Sequence, residues 1–271
     1  AVLRTDLILL EVFWNRLVSV CNEQAAALVG TSFTTIVRES EDLSAGVFDR
    51  RGNMIAQSVT GTPGHINSMA TSMRHFLSRY PISSLEPGDV LITNDPCYTP
   101  GQLHVLTIMT PAFRQGEVVA FFGNTCQAAD IGGRGLSVDG REIYEEGLYI
   151  PILKLYRRGE PNEDLFDVIR GNVRSPEMVL GDIRAQVACN EVGCRRLLEC
   201  LDEFKLENIE ALADEIILVS ETAMRAAIKR IPDATYRSET WSDGFAHDEP
   251  IRIACTVTVD GTDMRVDYTG S

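Results

Sequence analysis

Apolar positions recur at helical spacing near the start of the chain, where Leu10, Phe13, Leu17, Val20 and Leu28 share one face. With Asp6 placed as a cap and Gly30 as a stop, the pattern predicts one opening helix. Over 45–58 the period shortens to two on either side of Asp49-Arg50-Arg51-Gly52-Asn53, which predicts a hairpin. A second helix is expected over about 66–79, ending before Pro81. Strand-like runs follow at 89–93, 104–110 and 117–123, separated by Pro, Gly, Asn and Asp. After Pro151 the spacing returns to that of helices. Ser175-Pro176-Glu177 reads as a cap and first turn, Asp182 as the cap of a helix to about Leu201, and about 206–230 as a long amphipathic helix. A second hairpin closes the chain, 251–257 with 264–268, turning at Asp260-Gly261.

The expected fold class is therefore α/β (α+β): a mixed, largely antiparallel sheet region flanked by helices. Three segments are expected: 1–175 as an N-terminal α/β region holding the site, 176–235 as a helical segment, and 236–271 as the start of a further β region. Because the chain stops directly after a strand at Ser271, it is expected to be the N-terminal part of a larger subunit.

Composition removes several function classes. At 271 residues with 44% hydrophobic content, the chain can build a real core. Its 39 acidic residues against 25 basic ones give a net charge of −14, which repels a phosphate backbone, so nucleic acid is not an expected partner. Seven cysteines at scattered spacings, without a Cys-x-x-Cys pair, read as reduced thiols. No apolar run reaches the roughly 18 residues of a membrane span and no signal-peptide pattern is present, so a cytoplasmic location is expected.

Candidate chemistry concentrates between Asn94 and Gly133. Asn94-Asp95-Pro96 puts a carboxylate and an amide at a strand end, although structural turns commonly look the same. Thr99 to His104 forms a polar loop entering a strand, and Gln127 to Gly133 another leaving one; Gly132-Gly133 permits close backbone approach. Arg38 to Ser44 carries several carboxylates ahead of a strand and reads by itself as a solvated charge run. Glu145-Glu146-Gly147 and Gly171 to Arg174 read as ordinary loops. His65, His75, His104 and His247 lack metal-ligand spacing, and His75 reads as a helix-surface residue. No phosphate-binding loop, Gly-x-Ser-x-Gly or Gly-x-Gly-x-x-Gly occurs.

Taken in order, these segments resemble the hydantoinase B/oxoprolinase family, which includes N-methylhydantoinase, 5-oxoprolinase and acetone and acetophenone carboxylase subunits. The resemblance is carried by Glu11 to Leu17, Arg38 to Ser44, Phe48-Asp49, Ala56-Gln57, Gly64 to Met69, Pro87-Gly88-Asp89 and Asn94-Asp95-Pro96. It continues through Pro111, Phe113, Asp130 to Gly133, Glu146-Gly147-Leu148, Asn172-Val173-Arg174, Gly181-Asp182 and Val266 to Gly270. The resemblance implies an ATP-dependent enzyme in a hetero-oligomer, with ATP used by a hydantoinase A-type ATPase partner that activates a small-molecule substrate by phosphorylating its carbonyl oxygen.

In typical members a divalent metal is held by an aspartate after the first helix, by His and Asp of one loop and by a His before Asp-hydrophobic-Gly-Gly. Here Asp42 keeps the first position, whereas Gln102, Val105 and Gln127 stand at the others. One carboxylate and two neutral amides make a poor transition-metal site. His104, two residues from Gln102, is expected on the same strand face and thus in the same pocket. By resemblance the catalytic candidates are Asp42, His104 and Asp130, and the substrate-binding candidates His65, Asn94, Asp95, Gln102, Gln127, Gly132 and Gly133. Three functions stay open: hydrolysis of an activated cyclic amide, carboxylation of a ketone, and a noncatalytic scaffold with a decayed metal site.

Overall fold

The computed structural model describes residues 7–135, 140–244 and 250–271; the expected cap Asp6 and His247 lie outside the described residues. The elements run α1 (Leu7–Thr31), α2 (Thr35–Arg38), β1 (Leu43–Phe48), β2 (Met54–Gln57), α3 (Pro63–Arg79), β3 (Val90–Thr93), β4 (Val105–Arg114) and β5 (Glu117–Gln127). They continue α4 (Ile143–Glu146), β6 (Leu153–Arg157), β7 (Glu160–Pro161), α5 (Glu163–Asn172), α6 (Pro176–Glu203), α7 (Glu210–Ile228), β8 (Ala234–Ser242), β9 (Ile251–Asp260) and β10 (Asp263–Asp267). Two compact units divide between Ala213 and Asp214.

The first unit holds a seven-stranded sheet in the order β2-β1-β5-β4-β3-β6-β7. Every ladder among the described residues is antiparallel, as the hairpin signals predicted. On one face α3 packs through Met69, Met73 and Phe76 against Phe48, Leu91, Met109 and Phe121. On the other, α1 and α6 cover β1 and β5 through Leu28, Leu43, Ala45, Cys126, Ala185 and Cys189. Burying each large apolar side chain contributes about 1.5–3 kcal/mol before entropy is counted.

Local chemistry explains the turns. Asp49, fully buried, accepts from the Arg51 and Asn53 backbone N–H groups at 2.9 and 2.8 Å, and Gly52 supplies the positive φ of the first hairpin. Gln115 and Gly116, with φ of 52° and 85°, close the β4–β5 hairpin in two residues. β4 runs on through Pro111 to Arg114, past the expected end at 110, because the last β3 pairing is Leu91 with Met109 and the proline therefore removes no ladder bond there.

Two further expectations are corrected. After Pro151 the chain forms β6 before it returns to helix, since Leu153 and Leu155 pair and pack beside β3. A single helix, α6, spans 176–203, so Asp182 caps no helix of its own. Its buried carboxylate instead accepts from the Phe33 N–H at 2.6 Å and the Thr34 hydroxyl at 2.5 Å, fixing the chain where it leads into α2. β8, for which the sequence pattern predicts no separate strand, is exposed along its whole length.

In the second unit β8, β9 and β10 form an antiparallel sheet in the order β10-β9-β8. The expected hairpin forms, but it closes through Gly261-Thr262 because Asp260 still pairs with Asp263; the Gly261 N–H is held by Asp233 at 2.8 Å. Arg225 of α7 binds Asp263 at 2.7 Å.

A polar stripe crosses the α3 face of the main sheet. Ser44, Thr125, Thr107 and Thr93 are successive cross-strand partners on β1, β5, β4 and β3, all buried, and the Thr107 and Thr125 hydroxyls lie 2.9 Å apart. This stripe is the floor next to the site.

Candidate functional site

One step beyond the hydroxyl stripe, the pleat puts Asp42 and Gln127 on the same face, and the Gln127 N–H donates to the Asp42 carbonyl at 3.1 Å. The α3 N-terminus meets this end of the sheet. Its N-cap residue Thr62 makes no side-chain cap within the helix and instead donates its hydroxyl to Asp42 Oδ1 at 2.7 Å. His65, one turn in, brings Nδ1 to 3.6 Å from the same oxygen. Asp42 thus sits at the positive end of a 17-residue helix, where a carboxylate is favoured. Gln102 reaches across from the turn before β4, and its Nε2 donates to Gln127 Oε1 at 3.1 Å.

The structure brings together Asp42, His65, Gln102 and Gln127, and it separates His104 from them. Residues 102–105 form a turn closed by Val105 N–H to Gln102 carbonyl, not an extended strand, so the expected shared face of Gln102 and His104 does not exist. His104 pairs by its carbonyl with the Ala128 N–H, and its charged neighbours are Glu146 and Asp130.

Asp130 is occupied. Its Oδ1 accepts from the Gly132 N–H and from Arg174 Nη1, both at 2.9 Å, and its Oδ2 from the Arg174 N–H. Burial works to raise its pKa, but those bonds and the Arg174 charge together hold it below the usual carboxylate value. Gly132 and Gly133 serve this packing, since a Cβ would lie 2.5 Å from the Asn172 carbonyl oxygen and 2.4 Å from that of Glu145. Asn94 is spent likewise: its amide donates to the carbonyls of Leu103 and Leu148 and accepts from the Ile150 N–H. Asp95 is half-buried and binds the Tyr149 hydroxyl at 2.7 Å, pushing that phenol up to about 12.

Sequence reasoning missed Thr62, hidden as an ordinary helix cap, and Glu146, which accepts from the Leu103 N–H at 3.0 Å and so fixes the turn that carries Gln102. His75, expected on the helix surface, is half-buried and stacks on Tyr98 with ring centroids 4.0 Å apart. Cys126 is no nucleophile, because burial pushes its thiol well above the ordinary range.

The donor set does not fit a transition metal. Among the described residues no three His, Cys, Asp or Glu side chains cluster for a metal ion, and Gln102 and Gln127 spend one amide oxygen on each other.

Burial lowers the pKa of both His65 and His104, against the opposing pull of Asp42 on the first and of Glu146 and Asp130 on the second. The unfolded chain then binds protons more readily below about pH 6.5, so this stability is complete above that pH and declines as pH falls toward the lower folded values. We predict a lower melting temperature at pH 5.5 than at 7.5, with a smaller drop in His104→Asn. An equal drop in both proteins would remove His104 as a cause.

The chain belongs to the hydantoinase B/oxoprolinase family, whose family model matches residues 6–271. Among its relatives is the B component of a putative D-/L-hydantoinase from Pseudomonas sp. (strain NS671), 32% identical over 99% of this chain and 47% of its own length. The crystal structure of the ATP-dependent caprolactamase from Pseudomonas jessenii superposes with a TM-score of 0.88 at 29% identity, covering 97% of this chain and 46% of that one. A nucleotide-free acetone carboxylase structure shares the fold, with a TM-score of 0.88 at 19% identity over 98% of this chain and 37% of the other. The chain spans about half the length of the curated relatives it matches.

Proposed function

We propose that this chain is the substrate-handling part of an ATP-dependent cytoplasmic enzyme that hydrolyses a cyclic amide. A hydantoinase A-type partner in the same hetero-oligomer activates the carbonyl, which accords with the lack of any phosphate-binding loop here. The observation that carries the reading is Asp42 itself. A carboxylate oriented by Thr62 at a helix N-terminus, one-third exposed beside neutral amides, is placed to take a proton from an attacking water. His104 stands in the turn at 102–105 with Glu146 and Asp130 as its charged neighbours, which leaves that role to Asp42.

A ketone carboxylase is the second reading. It is favoured by the neutral Gln102–Gln127 pair, which can hold an oxyanion or CO2 by hydrogen bonds. The intact protein reconstituted with its ATPase partner distinguishes the two. ATP-dependent opening of 5-oxoproline, hydantoin or caprolactam is expected; ATP-dependent fixation of labelled bicarbonate into acetone or acetophenone would establish the carboxylase, and neither product would leave a scaffold.

A further inference from the structure

The backbone around Asp42 is fixed. Its N–H donates to the Ile36 carbonyl at 3.3 Å, its carbonyl accepts from the Gln127 N–H at 3.1 Å, and a bond from the Leu43 N–H to the Glu41 carbonyl at 2.8 Å closes across it. Glu41, just before it, has a φ of 49°, in the left-handed region that a glutamate rarely adopts. What remains free is the rotation of the carboxylate. Thr62 restrains it at one point, Oδ1, and a single hydrogen bond lets the group pivot about that contact. Among the described residues Oδ2 has no hydrogen-bond partner.

A second group faces the same oxygen. His65 is only 5% exposed, and its Nδ1 is sealed from solvent without a hydrogen-bond partner, an arrangement that costs free energy and calls for a reason. Nδ1 lies 3.6 Å from Asp42 Oδ1, just beyond the ordinary N–H···O range. Hydrogen bonds used in catalysis are often long in the free enzyme and shorten in the complex with substrate. The His65 N–H bonds to the Thr62 carbonyl at 2.9 Å, so one turn of α3 brings hydroxyl and imidazole to one carboxylate oxygen. A neutral imidazole carries a single proton. On Nε2 that proton would leave two acceptors facing each other; on Nδ1 it provides a donor.

We propose that His65 is a positioning residue: it carries its proton on Nδ1 and, together with Thr62, clamps Asp42 through Oδ1, so that Oδ2 takes the proton of the attacking water. This rests on the hydrolase reading above and supplies the second support that its base requires. The resemblance implied that His65 binds substrate; its contact with Asp42 gives it a different task.

The test uses the intact protein with its ATPase partner and follows ATP-dependent opening of 5-oxoproline, hydantoin and caprolactam. His65→Asn, whose amide nitrogen reaches the place of Nδ1, should keep kcat within about fivefold of the unmodified protein. His65→Gln, whose amide reaches only the place of Nε2, should lose about 100-fold in kcat with KM little changed, as a misplaced base does. Both remove the same buried ring, so a general loss of packing falls on both. In the Asp42→Asn background His65→Gln should change the rate by less than about threefold, because a residue that acts through Asp42 has nothing left to position. Solid-state nitrogen-15 NMR of the histidine-labelled protein, with His65→Asn to assign the signal, should find the His65 proton on Nδ1. Equal losses in His65→Asn and His65→Gln, an undiminished effect of His65→Gln beside Asp42→Asn, or a proton on Nε2 would overturn the proposal while ring opening by the unmodified protein upheld the hydrolase reading. No ring opening by the unmodified protein would refute that reading instead; the clamp on Asp42 would then stand with a proton on Nδ1 and fall with one on Nε2.

Discussion

Asp42→Asn is expected to lower ATP-dependent product formation by about 100-fold to 10,000-fold, the usual contribution of a positioned general base. The substitution keeps the local structure, because an asparagine Oδ1 can accept the Thr62 hydroxyl that Asp42 now holds at 2.7 Å. The loss should therefore fall on kcat with the melting temperature little changed, and with ATP consumption by the partner uncoupled from ring opening. Retention of activity within about threefold would mean that Asp42 does not handle the proton, and the base would have to be sought elsewhere.

The largest stability effect is expected at Asp182, far in sequence from the group it holds. Its carboxylate, only 4% exposed, receives the Phe33 N–H and the Thr34 N–H and hydroxyl. Asp182→Ala strands these donors in a buried position and should cost about 2–4 kcal/mol in a denaturant titration. Asp182→Asn keeps the acceptor and should cost less than half as much. Equal losses in the two variants would show that negative charge, not hydrogen bonding, is what the site requires.

Helices, hairpins and the antiparallel sheet were legible because periodicity and turn residues report local geometry. The family was legible for a related reason: several of its motifs sit where the backbone of this chain needs them. Several residues that carried the resemblance are anchors of the fold. Asp49 ties a hairpin turn, Asp89 binds the Lys154 ammonium at 2.6 Å and the Arg158 N–H at 3.1 Å, Asn94 bridges three backbone segments, and Asp130 clamps Arg174. Such side chains are polar and sit at strand ends, so from sequence they look like chemistry. Gly147 has the same character, since a Cβ there would meet the Ile131 carbonyl oxygen at 2.3 Å.

What could not be read was which polar residues face one another. His104 and Gln102 are two apart, and only the turn at 102–105 sends them to different neighbours. A mostly buried amide network, Gln24, Asn124, Gln186 and Asn190 with Thr110, joins α1 and α6 to the sheet over separations of up to 166 residues. Nothing local marks those residues as partners.

The hydroxyl stripe from Ser44 to Thr93 has a consequence for how such a site can evolve. It stands between the apolar layer under α3 and the side chains at the sheet end, so that layer makes no demand on what lies beyond it. Imidazole can give way to carboxamide at 102 and 127 while Phe48, Met69 and Phe121 keep their packing. The residues at the sheet end can thereby change without disturbing the packing that holds the scaffold together.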